Sequence, residues 1–188
     1  MTAIRLRAAL TAASLASLFL ALPAAAQEAR PAQRPPDVIY VPTPQQVVDE
    51  MLKIAGVKDG DVLYDLGSGD GRIPVTAAKR FGIRAVGIDI DPDRIKEARA
   101  NAKKNGVEKL VTFRNQDLFK ASFKEATVVT LYLLPDLNVK LRPRLWKELK
   151  PGTRIVSHQF DMGDWKPEKT VQLEGRTIYF WTIPARKK

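Results

Sequence analysis

The stretch Asp65-Leu66-Gly67-Ser68-Gly69-Asp70-Gly71 decides how this 188-residue chain is read. An apolar run, Val62 to Leu66, leads into it. A helix-forming run, Arg72 to Arg80, leaves it. Strand, glycine loop and helix in that order are the opening half of a nucleotide-binding α/β unit. Glycines let the backbone take positive φ and let a ligand approach closely. The spacing is G-x-G-x-G with an acid two residues before the first glycine, not the G-x-G-x-x-G of dinucleotide folds.

Working outward, the same alternation continues. Ala85 to Asp89 reads as a second strand, and Asp91-Pro92 opens a helix with Ile95, Ala98 and Ala102 on one side. Asn105-Gly106 ends that helix, and Leu110 to Phe113 is a third strand. Ala126 to Leu134 is the most apolar stretch of the domain, as expected of a central strand buried on both faces. Leu137, Leu141, Leu145 and Leu149 recur every four residues and mark a helix that Pro143 is expected to kink or split. Arg154 to Ser157 is a fifth strand, and Val171 to Ile183 reads as a hairpin turning at Glu174-Gly175. Upstream of the loop, Thr43-Pro44-Gln45-Gln46 has the form of a helix start: Thr43 caps, Pro44 opens and Gln46 closes a capping box. The pattern predicts an α/β Rossmann-like fold, a three-layer sandwich around a mainly parallel seven-stranded sheet with one antiparallel strand.

The ends of the chain are different in kind. Residues 1–26 have a basic start at Arg5 and Arg7, an uncharged Ala/Leu-rich stretch from Ala8 to Leu22, and Ala24-Ala25-Ala26 as a small-residue cleavage site. This is the form of an export signal, which would send the domain to the periplasm or the membrane surface. An uncleaved anchor is the rival reading, and it would leave the domain facing the cytosol. Residues 27–37 are a proline-rich linker, and 38–188 form the folded domain. Removal of the leader, with two arginines and no acid, takes the net charge from +10 to +8. Such a balance favours acidic partners, although a solvated surface accounts for it equally. The chain has no cysteine and one histidine, so no cluster of metal ligands is expected. Ser68 lies in Gly67-Ser68-Gly69, which is not the G-x-S-x-G of a serine nucleophile.

In open α/β sheets, ligands sit outside the carboxyl ends of strands. The residues just after each predicted strand are therefore the candidates: the glycine loop, Asp89, Asp117-Leu118, Tyr132 to Pro135 and His158. Asp89 lies 22 residues beyond Gly67, the separation of the acid that takes ribose hydroxyls in nucleotide-binding βαβ units. Taken together these motifs resemble the class I S-adenosylmethionine (AdoMet) methyltransferases. The resemblance assigns Asp65, Gly67, Ser68, Gly69 and Gly71 to the amino-acid end of AdoMet, Asp89 to the ribose, and Asp117 with Leu118 to the adenine.

Four segments carry a narrower resemblance. They are Tyr40-Val41-Pro42-Thr43-Pro44, Tyr64 through Ile73, Thr130-Leu131-Tyr132-Leu133-Leu134-Pro135, and Ser157-His158-Gln159-Phe160 with Met162-Gly163-Asp164-Trp165. These are similar to the small protein-lysine methyltransferases related to the mitochondrial enzymes that modify the c-subunit of ATP synthase and the adenine nucleotide carrier. The resemblance implies a protein substrate with a target lysine, membrane-associated proteins included, and makes a nucleic acid a less expected acceptor. The Asn/Asp-Pro-Pro-aromatic signature of nucleobase amino-group methyltransferases is absent after the fourth strand. Tyr132 and His158 are the candidates for catalysis, and Tyr132, Leu133, Pro135 and Trp165 for the acceptor site. Alternatives are an exported AdoMet-fold binding protein without transfer activity, and a methyltransferase acting on nucleic acid or a small molecule.

Overall fold

The computed structural model describes residues 35–185, so the predicted leader and most of the linker lie outside the described residues. Four helices and seven strands follow the glycine loop's lead. They are α1 (Gln45–Ile54), β1 (Val62–Leu66), α2 (Arg72–Phe81), β2 (Arg84–Asp89), α3 (Pro92–Lys104), β3 (Val111–Asn115), β4 (Val128–Leu131), α4 (Pro135–Glu148), β5 (Arg154–His158), β6 (Lys169–Leu173) and β7 (Arg176–Thr182). The sheet order is β3-β2-β1-β4-β5-β7-β6. Neighbours from β3 to β5 are parallel, while β7 runs antiparallel to both β5 and β6. The strand order reverses between β1 and β4, which is where ligands bind in such sheets.

Period-two alternation decides which layer each strand residue joins. Leu63, Ala85 and Val128 pack under α1, α2 and α3. Tyr64, Val86 and Val129 face the other way, against Leu141 and Leu145 of α4 and against Phe123 of the irregular stretch between β3 and β4. All four residues of β4 are buried, in keeping with a continuous apolar run at the sheet centre.

Two local expectations are corrected and a third holds. Thr43 does not cap α1: the helix has no side-chain cap, and the Thr43 hydroxyl instead meets His158 Nδ1 at 3.1 Å, across 115 residues. Pro143 does not split α4, which is continuous from Pro135 to Glu148. Pro143 lies on the exposed side of the helix. The β6–β7 hairpin turns at Glu174 (φ 49°) and Gly175 (φ 72°), a pair of positive φ values that matches the right-handed twist of the strands. Among the described residues no helix is long and apolar enough to cross a membrane.

Candidate active site

The loop after β1 is fixed by backbone bonds before any ligand is considered. Gly67 N–H and Ser68 N–H both donate to Ile88 O of β2, at 2.8 and 3.0 Å, and Gly71 N–H donates to Ser68 O at 2.8 Å. Gly69 N–H donates to Asp89 Oδ2 at 2.8 Å, which ties the loop to the end of β2. A side chain at Gly69 (φ 50°) would collide with the ring of Tyr40. Gly71 (φ 75°) has a different task. It is the N-cap of α2, and a Cβ there would lie 2.5 Å from Phe113 Cζ and 2.9 Å from Ala98 Cβ. It lets the helix close onto the sheet and is not among the residues lining the cavity.

Asp65, Gly67, Ser68, Gly69, Asp89 and Asp117 line one cleft, with Leu118, Tyr132 and Leu133. It is a partly open cleft at the carboxyl ends of β1, β2 and β4, where sheets of this order take their ligands. Asp65 is 2% exposed and pairs in register with Thr130, whose hydroxyl donates to Asp65 Oδ1 at 2.7 Å. Burial pushes the Asp65 carboxyl up to about 8; the Thr130 hydroxyl opposes this, and Asp89 and Asp70 add to it by repulsion. Asp89 is also raised by burial, against the pull of the N–H groups of Asp91 and Gly69. Asp70 is half-buried, but the Arg72 guanidinium, bonded to it at 2.6 Å, holds it below the usual carboxylate range. Asp117 Oδ1 accepts from Phe119 N–H at 2.9 Å, which turns the chain so that Leu118 faces the cleft. The Ser68 hydroxyl is buried with no protein partner.

This lining suits a cationic nucleoside. A pocket with buried carboxylates, one of them raised far enough to hold its proton, gains most from a ligand that brings positive charge. AdoMet, with a sulfonium and an ammonium group, is such a ligand.

The structure also supplies residues that strand-end reasoning did not single out. The segment 36–43 runs along the cleft. The hydroxyl of Tyr40 shares Asp70 with Arg72, and the Arg94 guanidinium sits 4.8 Å from the Tyr40 ring centroid. Arg72 also donates to Thr43 O at 2.9 Å. The signal for this wall was the Tyr40-to-Pro44 segment itself, one of the four that carry the narrower resemblance.

On the acceptor side, Tyr132 and Leu133 reach the cleft; Pro135, His158 and Trp165 do not. Pro135 is the exposed first residue of α4. His158 is fully buried behind Tyr132, with ring centroids 4.0 Å apart and Nε2 unpartnered. Burial, aided by the Arg176 charge, lowers it to about 4, so the imidazole is neutral at physiological pH. Trp165 packs with Trp146 and Trp181 on the α4 side of the sheet, and its carbonyl accepts from Trp181 Nε1 at 2.8 Å. Apolar partners on that layer keep it from the mouth of the cleft. Among the described residues no group of three or more His, Cys, Asp or Glu could hold a metal ion.

A sheet of this order, with an acid–glycine loop, Asp89 and the Asp117-Leu118 pair around one cleft, defines a class I AdoMet-dependent methyltransferase. Residues 65–169 match the family model of the ANTKMT methyltransferase domain, and the chain belongs to that family. It is 48% identical to a protein-lysine N-methyltransferase of Saccharolobus islandicus (strain REY15A), over 81% of this chain and 98% of the relative. It is 33% identical to the lysine N-methyltransferase of the ATP synthase C-subunit in Rattus norvegicus, over 82% of this chain and 71% of that one. A crystal structure described as an RNA methyltransferase from Salinibacter ruber, in complex with S-adenosyl-L-homocysteine, superposes with a TM-score of 0.77 at 62% identity. The match covers 79% of this chain and 97% of that one.

Proposed function

We propose that this methyltransferase modifies the ε-amino group of lysine in a protein. The observation that carries the reading is the short link between β4 and α4. It puts the Tyr132 ring and the Leu133 side chain beside the glycine loop, where they make a largely apolar wall. Relatives named for protein lysines support it. AdoMet supplies an electrophilic methyl on a sulfonium, and the protein's work is alignment and exclusion of water. Asp65, Asp89 and Asp117 hold the donor. A lysine attacks only when neutral, and contact with Tyr132 and Leu133 favours loss of its proton by desolvation. The Tyr132 hydroxyl orients the amine. His158, neutral and enclosed, supports the Tyr132 ring and takes no proton.

A second reading is transfer to RNA. It is favoured by the description of the Salinibacter ruber structure and by the net charge of +8 that remains without residues 1–26. One experiment separates the two. The full chain is incubated with radiolabelled AdoMet and membrane and soluble extracts, and the product is treated with ribonuclease or protease. Label released by protease and found on lysine by mass spectrometry supports the proposal; label released only by ribonuclease replaces it.

The reading includes export by residues 1–26, with acceptors on membrane-associated proteins. A reporter fused after Ala26 tests the compartment.

A further inference from the structure

The end of β5 has an unusual backbone. Gln159 has φ 69°, and Phe160 N–H donates to His158 O at 2.8 Å, closing a three-residue turn around it. A non-glycine residue in that region is strained, and such a turn persists only where its surroundings over-determine it. Here they do. Asn138 of α4, fully buried, puts its side-chain amide within 3.1–3.3 Å of Asp161 O, Phe160 O and Ser157 Oγ. Ser157 Oγ donates to Phe160 O at 2.6 Å. On the opposite side Gln159 N–H donates to Thr177 O at 2.6 Å, and Gln159 Oε1 accepts from Thr177 N–H at 3.3 Å. The residues so fixed are His158 and Phe160, and both rings pack on Tyr132, at centroid distances of 4.0 and 6.1 Å. Asn138, His158 and Phe160 do not line the cleft; Tyr132 does.

We propose that this pinned turn is a positioning device for the acceptor: Asn138 holds Phe160 and His158 so that they set the Tyr132 ring, and Asn138 and Phe160 thereby govern acceptor turnover without touching the cofactor. The proposal rests on Tyr132 facing the acceptor, whether that acceptor is protein or RNA. Strain held by a buried amide has a purpose only if the turn must not relax. A glycine at 159 would remove the strain but would also lose the side-chain bond to Thr177.

The test compares the full-length native chain with Phe160→Leu, Asn138→Asp and Tyr132→Leu. The double variant Tyr132→Leu/Phe160→Leu completes the set. The acceptor is whichever extract fraction the native chain labels from tritiated AdoMet. Phe160→Leu keeps an apolar side chain and so preserves folding even where Asn138→Asp does not. In Phe160→Leu and Asn138→Asp the expected result is at least a tenfold loss of kcat/KM for the acceptor with AdoMet Kd within twofold of native. In the Tyr132→Leu background, Phe160→Leu adds less than twofold, because its effect runs through that ring. Losses that multiply in the double variant, a parallel loss of AdoMet affinity, or unchanged acceptor kcat/KM in Phe160→Leu would overturn the proposal. Label on RNA instead of lysine would refute the lysine reading while leaving these ratios to decide the positioning role.

Discussion

Gly69 donates its backbone N–H to Asp89 Oδ2 at 2.8 Å, so the bend of the glycine loop and the acid at the end of β2 form one unit. Asp89 Oδ1 accepts from Asp91 N–H at 2.9 Å and Ile90 N–H also bonds the carboxylate, so the group is held in place with accepting capacity left for a ribose hydroxyl. Hydrogen bonds to a charged group are worth about 1.5–3 kcal/mol each. Asp89→Ala should therefore weaken AdoMet binding roughly ten- to a hundredfold by calorimetry. Amide exchange at Gly69 should quicken in the same variant.

Asp65 makes donor binding a proton-linked event. The cofactor-free carboxyl, raised to about 8, holds its proton at neutral pH, and a cation beside it favours the ionised form. Affinity should rise between pH 6 and 8, by at most about tenfold per unit, with proton release seen as a buffer-dependent binding enthalpy. AdoMet's own amine also titrates, at about 7.7–8.0. Asp65→Asn isolates the protein's share, which should vanish. The folded-state value lies above the unfolded one, so this group's contribution to stability is present at acid pH and is lost as pH rises through about 8. The melting temperature of the ligand-free protein should fall over that range, and less steeply in Asp65→Asn.

His158 gives the opposite slope. Its folded value, about 4, lies below the model-peptide value of 6.5. The unfolded chain thus takes up a proton that the folded chain refuses, and stability should decline as pH falls through that window. His158→Gln should flatten the acid limb of a melting-temperature profile; an unchanged limb would mean that other groups set it.

Tyr40 and Gly69 should be coupled. Gly69→Ala places a methyl where the Tyr40 ring lies and forces a left-handed φ that costs a non-glycine residue about 1–2 kcal/mol. AdoMet affinity should fall at least about tenfold, since both residues line the cleft. Adding Tyr40→Ala should recover part of the loss, because the collision is then gone. Equal losses in the single and double variants would show that the collision does not matter.

The sequence was most readable where local rules act alone. Val62 to Leu66 is strand β1 to the residue, Asp91 caps α3 by accepting from Asp93 N–H at 2.8 Å, and the hairpin turns where Glu174-Gly175 said it would. It was least readable where a distant partner takes over a local group. Thr43 has the form of a cap, but His158 competes for its hydroxyl and wins. Trp165 follows the end of a strand as a lid residue would, yet Trp146 and Trp181 draw it to the α4 layer. Gly71 belongs to the motif, but the shape of Phe113 and Ala98 decides its role. None of these contacts leaves a periodic trace in the chain.

The most direct measurement is a crystal structure with S-adenosylhomocysteine. The ribose hydroxyls should lie within hydrogen-bond distance of Asp89, the adenine at Asp117 and Leu118, and the amino-acid end between Asp65 and the Gly67–Gly69 bend. A ligand bound away from these residues, or a cleft that stays empty at saturating ligand, would contradict this assignment.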